Sequence, residues 1–222
     1  MPIEVFERWI MMILLSLLTC ASPVKKESPD PKSLGVYISR SDPLKETYVG
    51  TATRIKWKEK YYWITASHVC LPSSKNIYPG SKLEARIFEY SGPEHSIEVL
   101  YADLDFDICV ASSEPGPSFE ISDRNSEIGG RVSYMGYPTG FYEVEYVSRF
   151  DGYFSGYLEK DCGWSLHATG GASGSLVFDE SGRVVGMITK VLTDFNGVSL
   201  GPCRETLVDF LNKVDAIQDK IR

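Results

Sequence analysis

From Leu34 onward, short apolar or alternating runs follow one another with turn residues between them, and this punctuation commits most of the chain to β structure. The first set is "LGVYIS", "TYVGTATRIKW", "YYWITAS", "KLEARIFEY", "SIEVLYAD" and "DICVAS". "SSEPGPSFEISD" (residues 112–123), with two prolines and a glycine, then reads as a linker. A second set follows: "RVSYMGY", "YEVEYVSRFDGYFSGYLE", "WSLHA", "SGSLVFD" and "RVVGMITKVL". "FDESGRVVG" has the pattern of a hairpin turning at Glu180 to Gly182. Thirteen Tyr, ten Phe and nineteen Gly suit this reading, because aromatics pack well on strands and turns recur. At the end the period changes. Leu207, Phe210, Leu211, Val214, Ile217 and Ile221 fall on one helical stripe, which predicts a C-terminal helix over 203–222 docked on the body. The expected architecture is all-β: one half at about 34–113, a second at about 124–202, and the closing helix. No fixed-period repeat is present.

The residues before Leu34 are of another kind. After "MPIEVFER", the segment "WIMMILLSLLTCASP" carries an apolar run from Trp9 to Leu18, closed by small residues. It falls short of the roughly 20 apolar residues that span a bilayer and matches the apolar core of a secretory signal. Residues 1–21 are therefore expected to be an export signal. Met11 or Met12 is an alternative start, because the first residues are mostly acidic. "LLTC" resembles the lipobox of bacterial lipoproteins, with Thr19 where that motif has Gly, Ala or Ser. The match makes Cys20 the lipidated first residue of the mature chain. Cleavage after Ala21 and a short buried N-terminal helix are the alternatives. "SPVKKESPDPKS" (22–33) reads as a flexible tether. The expected location is the periplasm or cell envelope, with membrane contact only through a lipid on Cys20, or outside the cell.

Net charge is −7 with no Lys/Arg block, which disfavours a nucleic-acid groove or a surface for anionic lipid. Export leaves Cys70, Cys109, Cys162 and Cys203 in an oxidising compartment. Four cysteines permit two disulfides in any of three pairings, or remain small buried thiols. No CxxC pair supports a zinc site, and no metal or cofactor is expected.

Nucleophilic catalysis by serine needs a base for the hydroxyl proton, a carboxylate that orients the base, and donors facing the developing oxyanion. The chain has three histidines. His95 lies in the polar "SGPEHSIE", His167 in a strand-like run before a Gly-rich turn, and His68 ends the apolar run "YYWITAS". "DLDFD" places Asp103, Asp105 and Asp107 on one face of a strand. A calcium loop of the EF-hand type needs a turn-forming Gly and a Glu at fixed places, and here Leu104 and Phe106 intervene. A lipase elbow, G-x-S-x-G, fails because residue 175 is Ser.

"ITASHV" (64–69) resembles the histidine motif of chymotrypsin-like serine proteases, "DICVA" (107–111) their aspartate motif, and "GASGSLV" (171–177) their nucleophile motif. The order His, Asp, Ser is the one that family uses. "YMGYPTG" (134–140) and "FDESGRVVGMIT" resemble the HtrA-like branch, so the likeness runs from about Leu34 to Leu192. It implies two six-stranded Greek-key β-barrels and a serine endopeptidase of protein or peptide substrates. Ser173 would be the nucleophile, His68 the base and Asp107 the orienting carboxylate, with Asp105 as fallback. The N–H groups of Gly171 and Ser173 would form the oxyanion hole. Ala172 stands where animal digestive members have Asp, so activation by a freshly cut N-terminus is not implied. His167, Thr189 and Lys190 fall where the family's primary specificity pocket is lined. His167 and Lys190 either favour an acidic P1 side chain or serve as a packed residue and a solvated rim charge. A protease fold that binds without cleaving and a structural surface lipoprotein are the competing functional readings.

Overall fold

The computed structural model describes residues 34–41, 46–71, 83–89, 94–138, 147–192, 194–195 and 197–221. The signal-type segment with Cys20 and the tether 22–33 lie outside them.

All six runs of the first half are strands: β1 (Leu34–Ser41), β2 (Glu46–Trp57), β3 (Lys60–Thr65), β4 (Leu83–Glu89), β5 (Glu94–Asp103) and β6 (Ile108–Ser112). They close into an antiparallel barrel in the order β1-β2-β3-β6-β5-β4. β1 pairs with both β2 and β4, so the sheet has no open edge. Strand alternation sends Ala52, Trp63, Cys109 and Ala111 into the barrel interior. It sends Ile55, Tyr62, Ile64, Ile108 and Val110 outward, into a core shared with the second half. Both faces of β3 and β6 are thus buried, which is why "YYWIT" and "ICVA" are nearly continuous apolar runs.

The second half holds β7 (Arg131–Gly136), β8 (Ser148–Leu158), β9 (Asp161–Trp164), β10 (Leu176–Asp179), β11 (Val184–Met187), β12 (Lys190–Val191) and β13 (Ser199–Pro202). Their order is β11-β10-β7-β8-β9-β13-β12, and a bridge between Gly186 and Cys203 rolls the sheet back on itself. Among the described residues seven strands stand where six were expected. "RVVGMITKVL" breaks at Ile188–Thr189, because Ile188 turns aside to exchange hydrogen bonds with Gly174 and Ser175. "WSLHA" is a strand only as far as Trp164, so His167 lies in irregular backbone and not in the expected strand. The Asp179 carboxylate closes the β10–β11 turn by accepting the Ser181 and Arg183 N–H groups.

The linker is laced to both halves. Phe119 exchanges backbone hydrogen bonds with Arg54 and Lys56 of β2, and Val184 of β11 does so with Glu120 and Ser122. Disulfides join Cys70 to Cys109 and Cys162 to Cys203, one in each half.

A single helical turn, α1 (Ser67–Cys70), follows β3, and α2 (Arg204–Ile221) closes the chain. Leu207, Phe210, Leu211 and Val214 of α2 enter the shared core as the stripe predicts, each burial contributing roughly 1.5–3 kcal/mol. Polar groups then fix the helix to the first barrel. The buried Asp215 carboxylate accepts hydrogen bonds from Tyr62 Oη at 3.1 Å, Lys60 Nζ at 3.2 Å and Lys58 Nζ at 2.8 Å. Burial alone would raise the Asp215 pKa, but the three donors outweigh it and hold the carboxyl below its ordinary value.

A carboxyl depressed by folding stabilises the native state at neutral pH, and that stability is lost as pH falls through its folded value. Asp215→Asn should therefore cost about 1–3 kcal/mol at pH 7. Urea midpoints measured from pH 7 to pH 3 should converge between variant and parent toward the acid end.

Candidate active site

His68, the expected base, is positioned by the end of β3. The chain leaves Thr65 through an extended Ala66 (φ −74°, ψ 143°) and makes one helical turn, in which Ser67, Val69 and Cys70 are buried and His68 is exposed. The Cys70–Cys109 disulfide ties this turn to β6, two residues past Asp107.

Asp103, Asp105 and Asp107 do not share a strand face as the sequence suggested. β5 ends at Asp103, whose carboxylate accepts the N–H groups of Asp105 and Phe106 and so caps a tight turn. Asp107 then adopts φ +56°, a left-handed conformation that Asp tolerates better than most residues, before the buried strand begins. This conformation brings Asp107, and not Asp105, to the histidine.

Three hydrogen bonds converge on the Asp107 carboxylate. Oδ1 accepts from Ser67 Oγ at 2.7 Å and from the His68 N–H at 3.0 Å; Oδ2 lies 2.8 Å from His68 Nδ1. A carboxylate only accepts, so the imidazole proton sits on Nδ1 and the lone pair on Nε2. Burial pushes the Asp107 pKa upward, yet the hydrogen bond and charge of His68, its backbone N–H and the Ser67 hydroxyl prevail and hold the group below its ordinary value. The carboxylate remains ionised beside the imidazole.

The third element is the loop before β10. Gly171 (φ +87°) and Gly174 (φ +88°) take conformations that side chains disfavour. Within it the Ala172 N–H donates to Thr169 O, the Gly174 N–H to Ile188 O and the Ser175 N–H to Ala172 O. The N–H groups of Gly171 and Ser173 make no hydrogen bond among the described residues. Two uncommitted amides thus flank the serine, as an anion-binding pocket requires. The loop lies against the base: a Cβ at Gly174 would stand 2.4 Å from Thr65 Oγ1 and 3.0 Å from the Ala66 N. Ser173 Oγ itself has no hydrogen bond to His68, a contact that tightens in such sites when substrate docks.

The expected pocket residues are placed as follows. Thr189 is buried next to Ile188, and its hydroxyl has no hydrogen-bond partner among the described residues. Lys190 is exposed on β12 and pairs with Asp161 at 2.8 Å, which neutralises its charge. His167 is exposed; its carbonyl accepts from Tyr134 Oη at 2.8 Å. Among the described residues no hydrogen bond or ion pair joins His167 to Lys190. Among the described residues no group of His, Cys, Asp and Glu has the arrangement of a metal site.

Sequence reasoning missed two contributors. Ser67 adjoins His68 in "TASHV", so its proximity was visible while its aim was not. Thr51, whose N–H and Oγ1 both reach the nucleophile loop, lies in "VGTAT" and carries no signal of its own.

A family model described as a trypsin-like peptidase domain matches residues 50–187, which is more than half of the chain and includes His68, Asp107 and Ser173. No curated protein matches. Among solved structures, a serine endoprotease from Yersinia pestis superposes with a TM-score of 0.66 at 17% identity, over 86% of this chain and 65% of that one. The HtrA-type protease AlgW, solved with a tripeptide, gives a TM-score of 0.68 at 15% identity, over 84% of this chain and 61% of that one. The chain thus spans under two thirds of the length of either, and both share its fold of two β halves. The chain belongs to the trypsin-like peptidase domain family.

Proposed function

We propose that this protein is a serine endopeptidase that cleaves peptide bonds through an acyl-enzyme. The observation that carries the reading is the presence in one fold of a hydrogen-bonded Asp107–His68 pair and a loop whose two uncommitted amides flank Ser173. In this mechanism His68 Nε2 takes the Ser173 Oγ proton as Oγ bonds to the substrate carbonyl carbon. The Gly171 and Ser173 N–H groups receive the negative oxygen. The imidazolium, stabilised by Asp107, then gives the proton to the leaving amine. Water, deprotonated by the same nitrogen, hydrolyses the acyl-enzyme and restores Ser173. The tripeptide on the structurally similar AlgW supports a peptide substrate. Lys190, paired with Asp161, gives no support to an acidic P1 preference.

The competing reading, a protease fold that binds without cleaving, draws on the missing Ser173–His68 hydrogen bond. A fluorophosphonate probe separates the two. The wild type should label, and Ser173→Ala and His68→Ala should not; a folded wild type that fails to label rules out the peptidase. Asp107→Asn should lower kcat by roughly 10⁴-fold by reversing the imidazole tautomer. Because Asp107 is held below the ordinary carboxylate value, it should stay ionised down through the ordinary carboxylate range and add no proton of its own to the acid limb of kcat/KM above that range.

Ser67→Ala removes one charge-assisted donor from Asp107 and should lower kcat/KM by about 10-fold, with Ser67→Thr restoring it, as read from steady-state kinetics.

Export is part of the proposal and is supported by the two disulfides, which suit an oxidising compartment. Mass spectrometry of the mature protein should find its N-terminus at lipidated Cys20 or at Ser22.

A further inference from the structure

Ile188 bonds Gly174 and Ser175 of the nucleophile loop from within the second half, and among the described residues one residue supplies the hydrogen bonds that reach the loop from the other barrel. Thr51, fully buried in β2, donates its N–H to Ser173 O at 2.9 Å and its Oγ1 proton to Gly171 O at 2.9 Å. The same Oγ1 accepts the Tyr137 N–H at 3.0 Å. The Thr51 carbonyl accepts from Thr65 Oγ1 at 2.8 Å, and Thr65 is the last residue of the strand that leads to His68. A hydroxyl has one proton, so donation to Gly171 O sets its rotor and leaves lone pairs for Tyr137.

Three glycines make this approach possible. A Cβ on Gly174 would stand 2.2 Å from Thr51 O, one on Gly136 2.8 Å from Thr51 Oγ1, and one on Gly50 2.9 Å from Ser173 O. A valine would fill the same shape and suit the strand equally well. It would take the Thr51 hydroxyl away from Gly171 O and the Tyr137 N–H.

Peptide planarity converts these contacts into aim. Pinning Gly171 O fixes the plane of the 171–172 peptide, and pinning Ser173 O fixes that of the 173–174 peptide. The 172–173 peptide between them carries the Ser173 N–H, so its direction is set from both sides. The same bond on Gly171 O fixes the residue whose N–H is the second uncommitted donor. An oxyanion hole loses its effect when its donors miss the developing charge by a fraction of an ångström. We infer that Thr51 is a positioning residue for the oxyanion hole, holding the Gly171 and Ser173 amides on target from the opposite barrel. Its catalytic consequence rests on the peptidase reading; the clamp itself does not.

The test compares Thr51→Val and Thr51→Ser in the full chain. For a peptide amide substrate, Thr51→Val should lower kcat by about 10- to 100-fold with little change in KM, and should weaken inhibition by a peptide aldehyde by a similar factor. Thr51→Ser, which keeps the hydroxyl, should stay close to wild type. Hydrogen exchange should speed up at residues 171–175 in the valine variant and not in the serine variant. Thr51→Ala serves in place of valine if that variant does not fold. Unchanged kcat, a loss carried by KM, a serine variant as impaired as valine, or unchanged exchange in the loop would each overturn the inference. Exchange needs no activity, so a loosened loop in a protein that the fluorophosphonate probe never labels would retire the peptidase reading and leave the clamp standing.

Discussion

The close approach of two backbones at Thr51 is the constraint on which the site depends. The candidate site draws on both halves of the molecule: His68 and Asp107 come from the first barrel, Ser173 and the uncommitted amides from the second. A shared apolar core brings the halves together without selecting a register, because hydrophobic burial is non-directional. Direction comes from the hydrogen bonds at Thr51, which leave little room for sliding once Gly50, Gly136 and Gly174 have let the chains touch. The α2 helix adds a second fixed point from outside. Its apolar stripe enters the same core, and Asp215 fastens it to the β2–β3 hairpin.

Asp107 shows how the site balances opposing costs. Burial disfavours its charge, and a left-handed φ is an uncommon backbone state for a residue with a side chain. Both are offset by the donors that surround it. Ser67 and the His68 amide share one oxygen, and the imidazole takes the other. This division keeps the second oxygen free to hold Nδ1 and so leaves Nε2 as the nitrogen with the lone pair. A carboxylate satisfied by the imidazole alone would lack that directional control.

Much of this was legible in the residues. Every strand of the first barrel was marked by its own apolar run, and α2 by its stripe, because those elements bury a regular face. The three motif residues could be ordered along the chain because residue types that perform chemistry are few: three histidines leave little choice of base. What escaped notice lacks such a face. β13, "SLGP", has two residues that β-sheets disfavour and no alternation, and it is held as a strand by neighbours on either side. His167 looked strand-like from composition, yet the strand ends at Trp164. The cysteine pairing is a property of tertiary distance and cannot be read from spacing.

The two disulfides extend the same logic. Cys70 lies two residues after His68 and Cys109 two after Asp107, so one bond limits how far the base and its orienting carboxylate can separate. Cys162–Cys203 joins β9 to the residue that opens α2, and so couples the sheet that bears Thr189 and Lys190 to the closing helix. Both bonds are buried within apolar clusters. A reductant reaches them only through opening of the fold, and this places their influence on folding and endurance, whereas a rapid switch needs an accessible bond. Covalent ties within each half, and hydrogen bonds with shared apolar packing between the halves, thus divide the work of holding five groups in one geometry. The covalent part needs an oxidising compartment, and the hydrogen bond that holds Gly171 O needs the Thr51 hydroxyl.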